Sequence, residues 1–263
     1  MRNGLLTGAL ALALAGGVMR GQPAPKARAP KSPEEVKALL AMLGAASPDA
    51  QIAAADEFVA KFPQSDFKAR AFFAEAQGYQ QKNDYDHLVV FGEQALESDP
   101  DDATKVQTLL MLARAISLKT GEYDLDREEK LSKVEKYSAN AMETLKTMPK
   151  PNPSLSDAQW ETFKADMIGQ AHTALGVDQM VRKDYDKAIA EFKAALDASK
   201  DDDPSIYVRL AAAYDKAEKY DDAVAACDKA LVLPDLHPGI KAAAEAEKAR
   251  ALKLKGAAAA KKP

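Results

Sequence analysis

Few side chains in this sequence stand at a spacing that does chemistry. Its three histidines, His87, His172 and His237, lie in three different repeats or loops. They offer no pair at ligand spacing for a shared zinc or copper site. Asp124-Leu125-Asp126-Arg127-Glu128, with Glu135 at the twelfth place, has the outline of a calcium loop. Its sixth place is Glu129, where the sharp turn of such a loop requires glycine. Acids at a helix amino terminus, favoured by the helix dipole, account for the run instead. Asp99 to Asp102 and Asp201 to Asp203 read the same way, as turn and cap residues. Cys227 sits in the middle of a helical stripe with no histidine placed to activate it, so a buried small apolar residue is expected. Trp160 shares helical spacing with Phe163 and Met167 and reads as core. There is no glycine-rich phosphate loop, no zinc-protease helix motif, no nucleophile elbow and no paired-cysteine motif. The expectation is a protein that is not an enzyme, with no catalytic residue, no cofactor and no metal.

The elements that would position these residues are helices. The 263 residues are 47% hydrophobic, much of it alanine, and only 6% aromatic. Such a composition packs helices closely and builds few sheets. No segment alternates apolar and polar residues, and no Asn-Gly or Asp-Gly hairpin occurs. The net charge of −4 lacks the basic face that a nucleic-acid partner needs. One cysteine excludes an intrachain disulfide.

Residues 1–21 have the layout of a signal peptide: a positive head at Arg2, an apolar run from Leu5 to Val18, then Arg20. Ala13-Leu14-Ala15 and Ala15-Gly16-Gly17 both suit cleavage. Loss of Arg2 and Arg20 would make the mature chain two charges more acidic. No cysteine follows the run, so no bacterial lipid anchor is expected. The run is short for a bilayer span, which needs about 20 residues. The expectation is a periplasmic or secreted protein; the alternative is a tether to the inner membrane through an uncleaved amino terminus. Residues 22–32 are expected to be a disordered Pro/Ala/Lys linker, and residues 256–263 a disordered tail.

Between them, residues 33–255 read as helical. Ser32-Pro33-Glu34-Glu35 and Ser47-Pro48-Asp49 are helix starts. Apolar stripes predict helices over 67–82, 85–97 and 106–119, then an insertion from Glu122 to Glu129 and a helix through Leu131, Val134 and Ala141. Pro149, Pro151 and Pro153 break the chain. Further helices are predicted from Ser156 to about Arg182, and over 186–198, 205–217, 221–233 and 240–255. Three segments share a register: Asn83-Asp84-Tyr85 … Ala95, Lys183-Asp184-Tyr185 … Ala188 … Ala195, and Glu218-Lys219-Tyr220 … Ala223 … Ala230. Ala188 and Ala223 are 35 positions apart.

That spacing resembles the tetratricopeptide repeat, a helix–turn–helix unit of about 34 residues. The last copy matches best, with Tyr207, Leu210, Ala211, Tyr214, Tyr220, Ala223, Cys227 and Ala230. The copy before it has His172, Leu175, Gly176, Tyr185, Ala188, Phe192 and Ala195. The early copy has Phe72, Ala76, Tyr79, Tyr85, Ala95 and Pro100, with Leu88 and Gly92 departing from the pattern. The resemblance implies an all-α, right-handed α-solenoid of stacked helix pairs with a C-terminal capping helix. It also implies a concave groove lined by the first helix of each pair. Carried over, that groove comprises Phe73, Gln77, Gln80, Leu110, Arg114, Thr173, Val177, Met180, Val208, Arg209 and Asp215. Phe73 and Gln77 stand where the family's carboxylate clamp begins with Lys and Asn, so the clamp is absent.

The expected function is therefore a non-catalytic protein–protein interaction scaffold of the cell envelope. It would bind a peptide or helix in the concave groove, with no nucleic acid among its partners. The alternative is a carrier or chaperone-like module in outer-membrane or cell-wall assembly; the run Phe58 to Ser65 resembles repeats of such proteins.

Overall fold

The computed structural model describes residues 28–152, 154–199 and 202–260. The signal-peptide expectation for residues 1–21 lies outside them, as do the first part of the expected linker and residues 261–263. The described residues form eleven α-helices and no strand: α1 Pro33–Leu43, α2 Pro48–Lys61, α3 Lys68–Gln81, α4 Tyr85–Glu97, α5 Asp102–Lys119, α6 Arg127–Thr147, α7 Asp157–Arg182, α8 Tyr185–Ala198, α9 Pro204–Lys216, α10 Tyr220–Leu231 and α11 Pro238–Ala260. None of them is long and apolar enough to cross a membrane. They group into two compact units. One takes the residues up to Lys105 with Thr147–Glu161; the other takes Val106–Lys146 and the residues from Thr162 onward.

In the first unit, helix starts follow from their caps. The Ser32 hydroxyl accepts from the Glu35 N–H at 3.1 Å, and the Ser47 hydroxyl from the Ala50 N–H at 3.2 Å. Pro33 and Pro48 occupy the first turn, where a missing N–H costs nothing. Helix α5 begins earlier than its apolar stripe predicts because Asp101 caps it. The Asp101 carboxylate takes both the Thr104 N–H and hydroxyl at 2.9 Å. Leu39, Met42, Ala55, Phe58, Ala71 and Ala74 form the core of α1 to α3. Gly78 lets α3 close on α2: a Cβ there would lie 2.6 Å from Ile52 Cγ1.

Arg28 to Ser32, expected in a disordered linker, are instead pinned to this unit. The Arg28 guanidinium donates to the Asp66 carbonyl at 2.9 Å and to the Asp99 carbonyl and carboxylate. Lys31 donates to the Gln64 carbonyl at 2.8 Å. These partners lie far along the chain, where local composition gives no sign of them.

In the second unit, Ala188, Phe192, Leu210, Ala211, Tyr214, Ala223 and Cys227 pack into one cluster. A Cβ on Gly176 would lie 2.5 Å from the Phe192 ring, so only glycine allows α7 this close to α8. Helix α11 continues through Gly256 to Ala260, past the expected start of a disordered tail. The alanines after Gly256 have the highest helix propensity of any residue, and they outweigh one glycine.

The shared register becomes one repeated turn. Asn83, Lys183 and Glu218 all adopt left-handed backbone, at φ 57°, 64° and 60°. Each turn closes the preceding helix with the same two bonds: Asp84 N to Tyr79 O, Asp184 N to Gln179 O and Lys219 N to Tyr214 O at 2.9–3.0 Å, and Asn83 N to Gln80 O, Lys183 N to Met180 O and Glu218 N to Asp215 O at 3.1–3.2 Å. This is the Schellman arrangement, which satisfies carbonyls left open at a helix end. Asp84 and Asp184 then cap the next helix through the N–H groups of His87 and Lys187. Lys219 makes no side-chain cap.

Candidate functional site

The first helix of each pair projects the expected groove residues, and burial sorts them. Phe73, at 9% exposure, and Leu110, at 5%, are buried in the free chain. Their apolar side chains gain more by packing inside their own units than by facing water. Asp215 is also buried, at 5%, because α11 covers it; its Oδ2 accepts from the Arg250 guanidinium at 2.6 Å. These three therefore do not line an open surface. Gln77 is half-buried and accepts from Gln51 Nε2 at 3.4 Å, while Gln80 is exposed. Thr173, Val177, Met180, Val208 and Arg209 are half-buried, and Arg114 is exposed. Val177 and Met180 rest on the α8–α10 cluster. Phe73, Gln77 and Gln80 belong to the first unit and the other eight to the second.

Within the second unit, Arg209 on α9 is half-buried. Burial holds the Arg209 guanidinium below its ordinary range, and the charge of Arg114 lowers it further; Asp203 opposes both. Sequence reasoning placed both arginines in the groove but gave no sign that Arg209 would be half-buried while Arg114 stays exposed.

Sequence reasoning also missed the buried carboxylates Glu75 and Asp178 on first helices, and placed Asp215 in the groove without a sign that it would be buried. Glu75 of α3 is 1% exposed, and neither of its oxygens has a hydrogen-bond partner. Burial, with Asp56 adding to it, pushes its carboxyl up to about 8. Asp178 of α7 is fully buried. Burial raises it to about 6 against the opposing pull of Arg182, which donates to it at 3.1 Å. Asp215 keeps one oxygen without a partner. Nothing in an amphipathic stripe marks such residues, because they replace apolar residues within the stripe itself.

Other candidate chemistry is quenched by pairing. Lys130 puts its ammonium between Asp124 and Asp126, at 3.0 and 2.9 Å, in the segment with the outline of a calcium loop. Beside it, Tyr123 and Leu125 are almost wholly exposed. A cleft of about 410 Å³ is lined by Arg182, Lys183, Asp184, Tyr185, Asp186, Ala217 and Lys219. Its cations are all paired: Arg182 with Asp178, Glu128 and Glu135, Lys183 with Glu122, and Lys219 with Asp186 at 2.7 Å. His172, expected in the repeat core, is half-exposed and bonded to Glu191 at 2.7 Å. His87 is exposed, stacks on Tyr79 and lies 2.8 Å from Asp84. Cys227 and Trp160 are buried. Among the described residues no three His, Cys, Asp or Glu groups converge to hold a metal.

Helix pairs joined by one repeated turn, with mixed polar and apolar residues on their first helices, define a helical-repeat protein. Residues 204–233, which span α9 and α10, match the family profile of the tetratricopeptide repeat. The chain thus carries a tetratricopeptide repeat at that helix pair. Among solved structures it is similar to a thermophilic tetratricopeptide-repeat protein of Thermus thermophilus. The likeness has a TM-score of 0.47 at 20% identity, over 81% of this chain and 95% of that one. No curated protein matches the sequence. Proteins of this repeat class generally act by binding other proteins.

Proposed function

We propose that this protein is a non-catalytic scaffold of the cell envelope that holds a peptide or helix of another exported protein along the first helices of its second unit. The observation that supports this reading is the set of side chains left accessible there. Thr173, Val177, Met180, Val208, Arg209 and Arg114 keep exposed surface, although neighbouring positions are buried. A mixed apolar and polar strip of this kind suits a segment docked through alternating anchors. Export rests on the signal-like residues 1–21, and with it the periplasmic or secreted location.

The test has two arms. Amino-terminal sequencing and fractionation of the protein from its native host should find a mature chain lacking about 15–21 residues, in the envelope or medium. A chain still beginning at Met1 in the cytosol would remove the envelope from the proposal. Affinity capture from the envelope fraction should then recover a specific protein that competes with a peptide of its own docking segment. Capture that no such peptide displaces would remove the groove.

A further inference from the structure

The first unit carries a short cationic arm that is bonded as a docked peptide would be. Residues 28–31 read Arg-Ala-Pro-Lys and lie just before α1. Their root is fixed, because the buried Glu35 carboxylate accepts from the Lys31 N–H and from the Ser65 hydroxyl. Beyond the root, two side chains hold the arm. The Arg28 guanidinium is shared by the Asp66 and Asp99 carbonyls and the Asp99 carboxylate, the last at 3.1 Å. The Lys31 ammonium reaches the Gln64 carbonyl at 2.8 Å and the Asp66 carboxylate at 3.3 Å. These acceptors belong to two successive turns, between α2 and α3 and between α4 and α5. Arg28 and Lys31 are three positions apart, the repeat of polyproline II, so an extended arm turns both cations to one side. No residue of the arm enters the core of α1 to α3, and Ala29 and Lys31 are exposed. The Asp99 carboxylate is 97% exposed, and an ion pair at such a rim contributes little. The arm is therefore held chiefly by its tether, since a short link keeps both cations at an effective concentration of about millimolar. A contact of this kind exchanges with a free segment of the same chemistry.

We propose that the two turns, residues 62–67 and 98–101, are a docking site for a basic, proline-containing segment of a partner protein with a guanidinium and an ammonium three residues apart, and that residues 28–31 close this site in cis as a latch. The site lies in the first unit and is independent of the second-unit groove.

The probe is a fluorescein-labelled peptide of residues 22–32, and the receptor is the full chain with Arg28→Ala and Lys31→Ala, which opens the site. Fluorescence anisotropy at low salt should show the peptide binding to this receptor. Binding should be at least ~10-fold weaker to the parent chain, whose own arm competes. A peptide carrying Arg28→Ala should bind the open receptor ~10-fold more weakly, and so should the parent peptide once Asp99→Asn is added to the receptor. A second readout leaves both cations of the arm in place. Ala29 is exposed and Cys227 is buried, so a spin label can be placed on Ala29→Cys alone. The label should be immobile in that chain and should become mobile when roughly millimolar peptide displaces the arm. If the double variant fails to melt cooperatively, the label decides. No binding to the open receptor at millimolar peptide would overturn the proposal and leave residues 28–31 a structural strap. So would equal binding to the parent chain, binding indifferent to the peptide's arginine, or a label that stays immobile under millimolar peptide. A parent chain that dimerises with rising concentration and loses the dimer on Arg28→Ala would also overturn it, because the arm would then pass between copies.

Discussion

At the scale of single residues, the clearest cost in the fold is Glu75. Its equivalents in the later copies, eight positions before the left-handed turn residue, are Leu175 and Leu210. Replacing an unpartnered buried carboxyl with the leucine of its sister repeats should raise stability by about 1–3 kcal/mol at neutral pH, read from urea denaturation. The pH dependence has a definite sign. The unfolded group titrates near 4.5 and the folded one near 8. The folded state therefore holds the proton more tightly. The contribution of Glu75 is fully present below about pH 4.5 and is lost as pH rises toward about 8. Glu75→Gln should flatten that decline; an unchanged slope would mean that Glu75 is hydrated. Cys227 is fully buried, and burial pushes its thiol up to about 11. It should react slowly with a thiol reagent in the native protein and rapidly in denaturant, and equal rates would contradict its burial.

At the scale of elements, the same turn recurs with residues that tolerate it unequally. Asparagine adopts left-handed backbone more readily than Lys183 or Glu218, for which it costs about 1–2 kcal/mol. Glu218→Gly should therefore add about 0.5–1 kcal/mol, part of the relief being spent on a more flexible unfolded chain. Gly176 works in the opposite sense. Alanine would gain about 1 kcal/mol of helix propensity but would drive its Cβ into the Phe192 ring, which is 1% exposed and has nowhere to move. Gly176→Ala should lose about 1–2 kcal/mol net, and a gain would show that the α7–α8 crossing is looser than described. These elements were largely legible in the sequence. Pro33, Pro48 and the Asn83, Lys183 and Glu218 turns mark helix ends by local rules, and small residues at Gly176, Ala188 and Ala223 mark close crossings. Local rules failed where distant partners decide. Arg28 is held by Asp66 and Asp99, and α11 outlasts its glycine.

At the scale of the whole molecule, the groove was legible as a face but not as a surface. The register told which side of each first helix points away from its partner helix. It did not tell that Phe73 and Leu110 would be buried, or that Arg250 of α11 would cover Asp215, since both depend on neighbours remote in sequence. What remains accessible on the second unit is narrower than the family pattern implies, and Val208 lies within it. Val208→Arg puts a long charged side chain on the proposed docking face. Val232→Arg puts the same side chain on an 80% exposed position just after a second helix. The decisive measurement is calorimetric titration of the captured envelope partner against these two variants, each first shown to melt like the parent chain. The scaffold account predicts that Val208→Arg loses at least ~2 kcal/mol of binding, the size of an interface anchor, while Val232→Arg binds as the parent does. Full affinity in Val208→Arg would contradict it and place the partner on another face of the protein.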